Sequence, residues 1–368
     1  MKKGLTLLLA LTLVMSMFTA CGKKDNNEPK PTEVPSPAAT QAPAATDTPA
    51  ATEPAATTGN PVKVGLAVIN SIASSKAATA DADGVNETDS TVVAVTVDQD
   101  GKILDCKLDV AQTKINFSKE GKLTTPGETV FKSKQELGSE YGMASTSKIG
   151  KEWNEQANAF VAYVIGKTAD EVKGIAVDQG LAADADLKAS VTIHIADFIA
   201  AVEKAVANAQ DLGATDADKL GLGITTNMEN SKDAAADADG VAQAYSYYVV
   251  TTTSADNKIT SCIIDASQGI VNFDQKGAIT NDITVAPQTK DEIKEAYGMK
   301  KASSIGKEWY EQANAFAAYA VGKTVDDLKG ITVNEEGAPT AADLTSSVTV
   351  DINNFVTSID KAVTNAAK

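Results

Sequence analysis

The chain has 368 residues, with 49 acidic against 33 basic side chains and a formal charge of −16. Every basic residue is lysine, and an acidic surface without arginine argues against nucleic acid and against adhesion to anionic lipid headgroups. One histidine and three cysteines leave little for metal or triad chemistry.

At the amino end, Met1-Lys2-Lys3 precedes an apolar run, Leu5–Phe18, of signal-peptide rather than membrane-spanning length. It closes in Phe18-Thr19-Ala20-Cys21-Gly22, which resembles the lipobox of bacterial lipoproteins. That resemblance implies cleavage after residue 20, lipidation of Cys21 and attachment to the outer face of a membrane, in a Gram-positive-type envelope. An ordinary secretory signal with an incidental cysteine is the alternative. Loss of Lys2 and Lys3 with the signal takes the charge to −18. Residues 21–61 then hold eight of the 11 prolines among Ala and Thr. With almost no large apolar side chains this stretch cannot bury a core, and as a spacer at roughly 3 Å per residue it reaches on the order of 100 Å.

Beyond the spacer the chain says the same thing twice. Ser147–Ile175 and Ser303–Ile331 match at 21 of 29 positions with a constant offset of 156. The register also pairs Gly65 with Gly221, Cys106 with Cys262, Phe117 with Phe273 and Tyr141 with Tyr297; after one inserted residue the offset is 157 and Phe198 pairs with Phe355. The period is the size of a small domain, which predicts one over 62–210 and a second over 211–368. A function common to both copies needs residues common to both.

Within the first copy, Val62–Ile69 alternates as a half-buried strand does. Thr91–Val97 is β-branched at all positions but Ala94, Asp98–Gly101 is a turn signal, and Lys102–Val110 reads as the returning strand of a hairpin. The second copy repeats the order in Leu220–Thr226, Tyr245–Thr253 and Lys258–Asp265. Helices follow. Ser133 is placed to cap a short one, and Gly150–Ile165 sets Trp153, Ala157, Phe160 and Val164 on one face with Gln156 beside them. Thr168-Ala-Asp-Glu171 forms a capping box, and Asp197–Ala209 is an amphipathic closing helix. The predicted class is α+β, antiparallel strands first and packed helices after, twice over.

Several motifs lose their chemistry on inspection. His194 has Asp351 as its counterpart, so no mechanism shared by both copies uses histidine. Gly166-Lys167-Thr168 and Gly322-Lys323-Thr324 lack the earlier glycine and the preceding strand of a phosphate loop, and read as a helix end and a cap. The Asp-Gly turns lack the closing glutamate of a calcium loop. Cys106 and Cys262 lie in strand-like runs, as small buried side chains do. Trp153 and Trp309, the only tryptophans, allow two readings. They are either anchors pinning a helix to the sheet, or walls of a pocket for a flat ligand with Gln156, Gln312, Lys151 and Lys307 as polar contacts.

The layout resembles the FMN-binding domain of ion-pumping oxidoreductase subunits and lipid-anchored flavoproteins. The shared features are a V-x-V-D-x-D-G-K-I hairpin, a Tyr-Gly-Met and Trp helical region, and a closing helix preceded by threonine. In that family D-x-x-S-G-A-T precedes the last helix, and its threonine is in some members esterified to FMN phosphate. The matching stretches run from Asp186 to Thr192 and from Asp343 to Thr349, each with a phenylalanine six residues on. The motif's glycine is Ser190 and Ser347 here, and its alanine is Val191 and Val348, which narrows the approach of a phosphate. The resemblance implies FMN held by Thr192, Thr349, Ser190, Ser347, Asp186 and Asp343, with Trp153, Trp309, Gln156 and Gln312 around the ring. It also implies a redox partner at the cell surface. Two functions stay open: an extracellular electron carrier, or a non-enzymatic binding or structural lipoprotein that has lost the flavin site.

Overall fold

In the computed structural model residues 59–367 are described; the signal segment, Cys21 and the spacer up to residue 58 lie outside them. No helix among the described residues is long and apolar enough to cross a membrane. The first antiparallel sheet is built from β1 (Pro61–Ser71), β2 (Gly84–Val97) and β3 (Ile103–Phe117). A later strand, β6 (Gln210–Thr215), adds to the start of β1 and gives the order β3-β2-β1-β6. The small hairpin of β4 (Val177–Asp178) and β5 (Leu181–Ala182) stands apart. The second sheet, β7 (Lys219–Asn227), β8 (Gly240–Thr253) and β9 (Ile259–Phe273), has the order β7-β8-β9.

Each long hairpin turns where a residue can take a positive φ. Gly101 adopts +78° while Asp98 Oδ1 accepts from Asp100 N and Lys102 N, both at 2.9 Å. In the second copy Asn257 takes that conformation at +61°.

The helices of the first copy are α1 (Lys134–Leu137), α2 (Trp153–Val164), α3 (Ala169–Lys173), α4 (Ala185–Lys188) and α5 (Ala196–Ala207). Those of the second are α6 (Lys290–Ile293), α7 (Trp309–Ala320), α8 (Val325–Lys329) and α9 (Asn353–Ala366). Ser133 and Thr168 cap α1 and α3 through complete capping boxes, and Gly166 ends the turn after α2 at φ +80°.

Strand periodicity divides the side chains between two cores. Val93, Val95 and Val97 face the helices, with Trp153, Phe160, Phe198 and Val202. Val92 and Ala94 face the other way, where they meet Leu220, Leu222, Tyr248 and Val250 of the second sheet. A strand buried on both faces has no reason to alternate, which is why Thr91–Val97 is β-branched at every position but Ala94. The order of layers is thus helices, sheet, sheet, helices. The helix layer sits very close to its strand: a Cβ at Gly65 would strike the Ala205 carbonyl, and one at Gly221 the Ala362 carbonyl.

The seam between sheets is reciprocal. Phe117 stacks on its counterpart Phe273 at 4.2 Å and 4°. Ala78 N donates to Gly277 O and Ala234 N to Gly121 O, both at 2.8 Å. Lys361 pairs with Glu136 at 2.6 Å, and the equivalent Lys204 pairs with Glu292. Contacts that recur with the two copies exchanged are those of an approximate twofold axis. Polar groups at the seam are satisfied across it. Tyr248 Oη bonds Ser90 and Ser267 at 2.8 Å, and Asn86 Nδ2 donates to Ala242 O and Gly269 O.

Candidate functional site

Helix α2 begins at Glu152, whose carboxylate accepts from Met143 N at 2.9 Å and Ala144 N at 3.1 Å. Glu308 does the same for Met299 N and Lys300 N before α7. This fixes the Gly-Lys-Glu-Trp segment and aims the first helical turn, with its tryptophan and glutamine, inward.

Gln156 is fully buried, and its amide is saturated. Oε1 accepts from Thr192 N at 2.8 Å and Thr192 Oγ1 at 3.1 Å, and Nε2 donates to Ser147 Oγ and Lys151 O. Gln312 repeats every one of these bonds, with Thr349 N at 2.7 Å, Thr349 Oγ1 at 3.2 Å, Ser303 Oγ and Lys307 O. The structure therefore brings Gln156 to Thr192 and Gln312 to Thr349, as clamps between the start of a long helix and the segment entering the closing helix. Val191 and Val348, beside the threonines, are buried. Ser190 Oγ turns back to Leu187 O at 3.3 Å and Ser347 Oγ to Leu344 O at 3.1 Å. Asp186 and Asp343 stand exposed and make no hydrogen bond to either threonine.

Trp153 and Trp309 are each 4 % exposed. Each meets the closing helix edge to face: Trp153 on Phe198 at 6.0 Å, Trp309 on Phe355 at 5.6 Å. Over each lies a lysine that the sequence did not single out. Lys290, 2 % exposed, sits over Tyr245, Tyr297 and Trp309 at 4.4, 4.2 and 4.6 Å and bonds the Tyr245 hydroxyl. Burial lowers its ammonium to about 7, opposed by Asp265. In the first copy Lys134 is half-buried and lies farther from Tyr141 and Trp153, at 4.9 and 5.4 Å. There Asp89 and Thr91 stand where Tyr245 and Tyr247 do. Asp89 is raised by burial and by Glu87, against the pull of Lys134.

Two further buried carboxyls face the seam. Asp109 Oδ1 accepts from Val110 N and Gln135 N, and burial raises it to about 6. Asp265 Oδ1 accepts from Ala266 N and Asp291 N, and burial raises it to about 7. Cys106 and Cys262 are free and buried; burial pushes the Cys262 thiol up to about 12, and Cys106 in the same direction. Such thiols are inert. His194 is exposed beside Gly180, where Asp351 stands beside Gly337 in the second copy. No metal-ligand group occurs among the described residues.

Compared with protein-family models, characterised proteins and solved structures, the chain gives no match.

Proposed function

We propose that the chain is a lipid-anchored, non-enzymatic binding module of the cell surface. It is built from two homologous FMN-binding-like domains in tandem whose flavin site has been converted into structure. The observation that carries this reading is the doubled clamp: each motif threonine donates its hydroxyl to a saturated, fully buried glutamine. Esterifying Thr192 or Thr349 would remove that donor and leave Oε1 of the glutamine a bond short, at a cost of about 1–3 kcal/mol. The rest of the motif fits FMN no better. Val191 and Val348 fill the space beside the threonine, the serine hydroxyls turn to their own backbone, and the tryptophan faces are taken by a phenylalanine edge and a lysine. No arginine is present to grip a phosphate.

The test is the visible absorption spectrum of the purified chain after incubation with FMN and gel filtration. No flavin band is expected. A band retained through gel filtration would favour the extracellular electron carrier, because the flavin ring would then supply the redox chemistry.

A further inference from the structure

Two clefts of about 330 and about 430 Å3 flank the seam in equivalent places, within the size range of small-ligand sites (~300–1,000 Å3). The first is floored by residues 105–109 of β3, which is the outer strand of its sheet. Its far wall comes from the other copy, at Leu222 and Asn365.

An outer strand presents alternate backbone groups away from its partner. On β3 some of these are already taken. Cys106 N–H goes to Asp105 Oδ1 and Val110 N–H to Asp109 Oδ1, both at 2.7 Å, and Leu108 C=O accepts from Gln135 Nε2 at 3.0 Å. By strand alternation the Leu108 N–H and the Cys106 C=O lie on that same open edge, along the cleft, with no hydrogen-bond partner among the described residues. The carboxylates of Asp105, Asp109 and Glu136 surround them. Against these stand Lys107 on the wall and the Lys361 ammonium bound to Glu136, so the cleft is net negative. Burial raises both Asp105 and Asp109, as expected of carboxylates that lack full compensation.

We propose that this cleft binds a short extended peptide bearing a lysine-type ammonium. The peptide main chain adds to the open edge of β3 at Cys106 and Leu108, and its ammonium is held by Asp105 and its neighbours. The second cleft differs in the residues that matter. Its charges count the same, with Asp265, Asp291 and Glu292 against Lys204 and Lys294, but Ser261 stands where Asp105 does and Ile263 where Lys107 does. The carboxylate assigned to hold the ammonium, Asp105, therefore belongs to the first cleft alone. The inference rests on the binding-module reading and names its ligand class.

The test is an NMR titration of the 15N-labelled full chain with acetyl-Ala-Lys-Ala-amide. A saturable shift of the Leu108 amide is expected, without one at Ile264. The glutamate peptide should bind about tenfold more weakly, and the peptide N-methylated at its central amide about fivefold more weakly. Asp105→Asn should weaken the lysine peptide severalfold while the rest of the spectrum stays in place. Absence of a saturable shift, equal affinity for the glutamate peptide, or equal affinity for methylammonium alone would overturn the proposal. So would a Leu108 shift that follows protein concentration, which would assign the edge to a second copy. A flavin band in the absorption experiment ends the parent reading without altering these shifts; absent shifts with no flavin end this inference alone.

Discussion

The two copies hold the same glutamine–threonine clamp and differ one layer away, under the tryptophan. In the second copy Tyr245, stacked on Tyr247 at 4.5 Å, joins Tyr297 and Trp309 in a cage around Lys290. In the first, Asp89 and Thr91 leave Lys134 half-buried, with only two rings near it. The clamp has one geometry because it joins a helix start to the entry of the closing helix, and every donor and acceptor in it is used. The cage varies between the copies: an aromatic ring, Tyr245, covers the lysine in one, and a carboxylate, Asp89, stands beside it in the other. The clamp thus behaves as architecture, and the cage as the place where the copies have diverged.

That contrast can be broken most severely by exchange. Tyr245→Asp with Tyr247→Thr gives the second copy the residues of the first, and should cost about 4–6 kcal/mol in denaturant unfolding through lost aromatic burial and an exposed cage. The reverse exchange at Asp89 and Thr91 should cost markedly less, because that site is already part-open to solvent. Equal losses would mean the cage does not distinguish the copies.

The buried carboxyls sharpen the comparison through pH. Asp265 and Asp109 are raised to about 7 and about 6 in the folded chain, above their unfolded value. Their contribution to stability is full below about pH 4 and is lost as pH rises through those values, by up to about 4 and about 3 kcal/mol. Asparagine keeps the acceptor for the backbone N–H groups without the charge. Asp265→Asn should therefore raise the melting temperature at pH 7.5 and flatten its pH profile more than Asp109→Asn does. A profile unchanged by either substitution would contradict the assignment.

Smaller and equal effects are expected at the clamp. Gln156→Ala and Gln312→Ala should each cost about 1–3 kcal/mol, because each strands the N–H and hydroxyl of a half-buried threonine. A difference of more than about 1 kcal/mol between them would show that the clamps are not equivalent. The least effect belongs to the reciprocal ion pairs. Lys204→Ala and Lys361→Ala should each cost under about 1 kcal/mol, and less in high salt, since both pairs are partly open to solvent.

Local chemistry was legible in the sequence wherever it decides local structure. The Asp98–Gly101 turn, the capping boxes at Ser133 and Thr168, and the inward face of Trp153, Phe160 and Val164 follow from short-range rules. The α+β class followed from their order. The seam was not legible, because burial there depends on residues far along the chain. The sequence signal for the second strand begins at Thr91, yet β2 starts at Gly84, where the Asn86 amide bonds backbone carbonyls of the other sheet. The sequence does not single out Lys290, since nothing in its own segment reports the three rings that close on it. The β4–β5 hairpin, two residues a side, is too short for any periodicity. Around the threonines the sequence picked out the residues that meet, Gln156 with Thr192 and Gln312 with Thr349, but not that they bond to each other.

The most direct test of the central claim, that Thr192 and Thr349 are held as structure, is the intact mass of the chain produced in cells able to attach flavin. The expected mass is that of the chain without FMN. A gain of one or two FMN groups, mapped to Thr192 or Thr349 and abolished by Thr→Val, would contradict it.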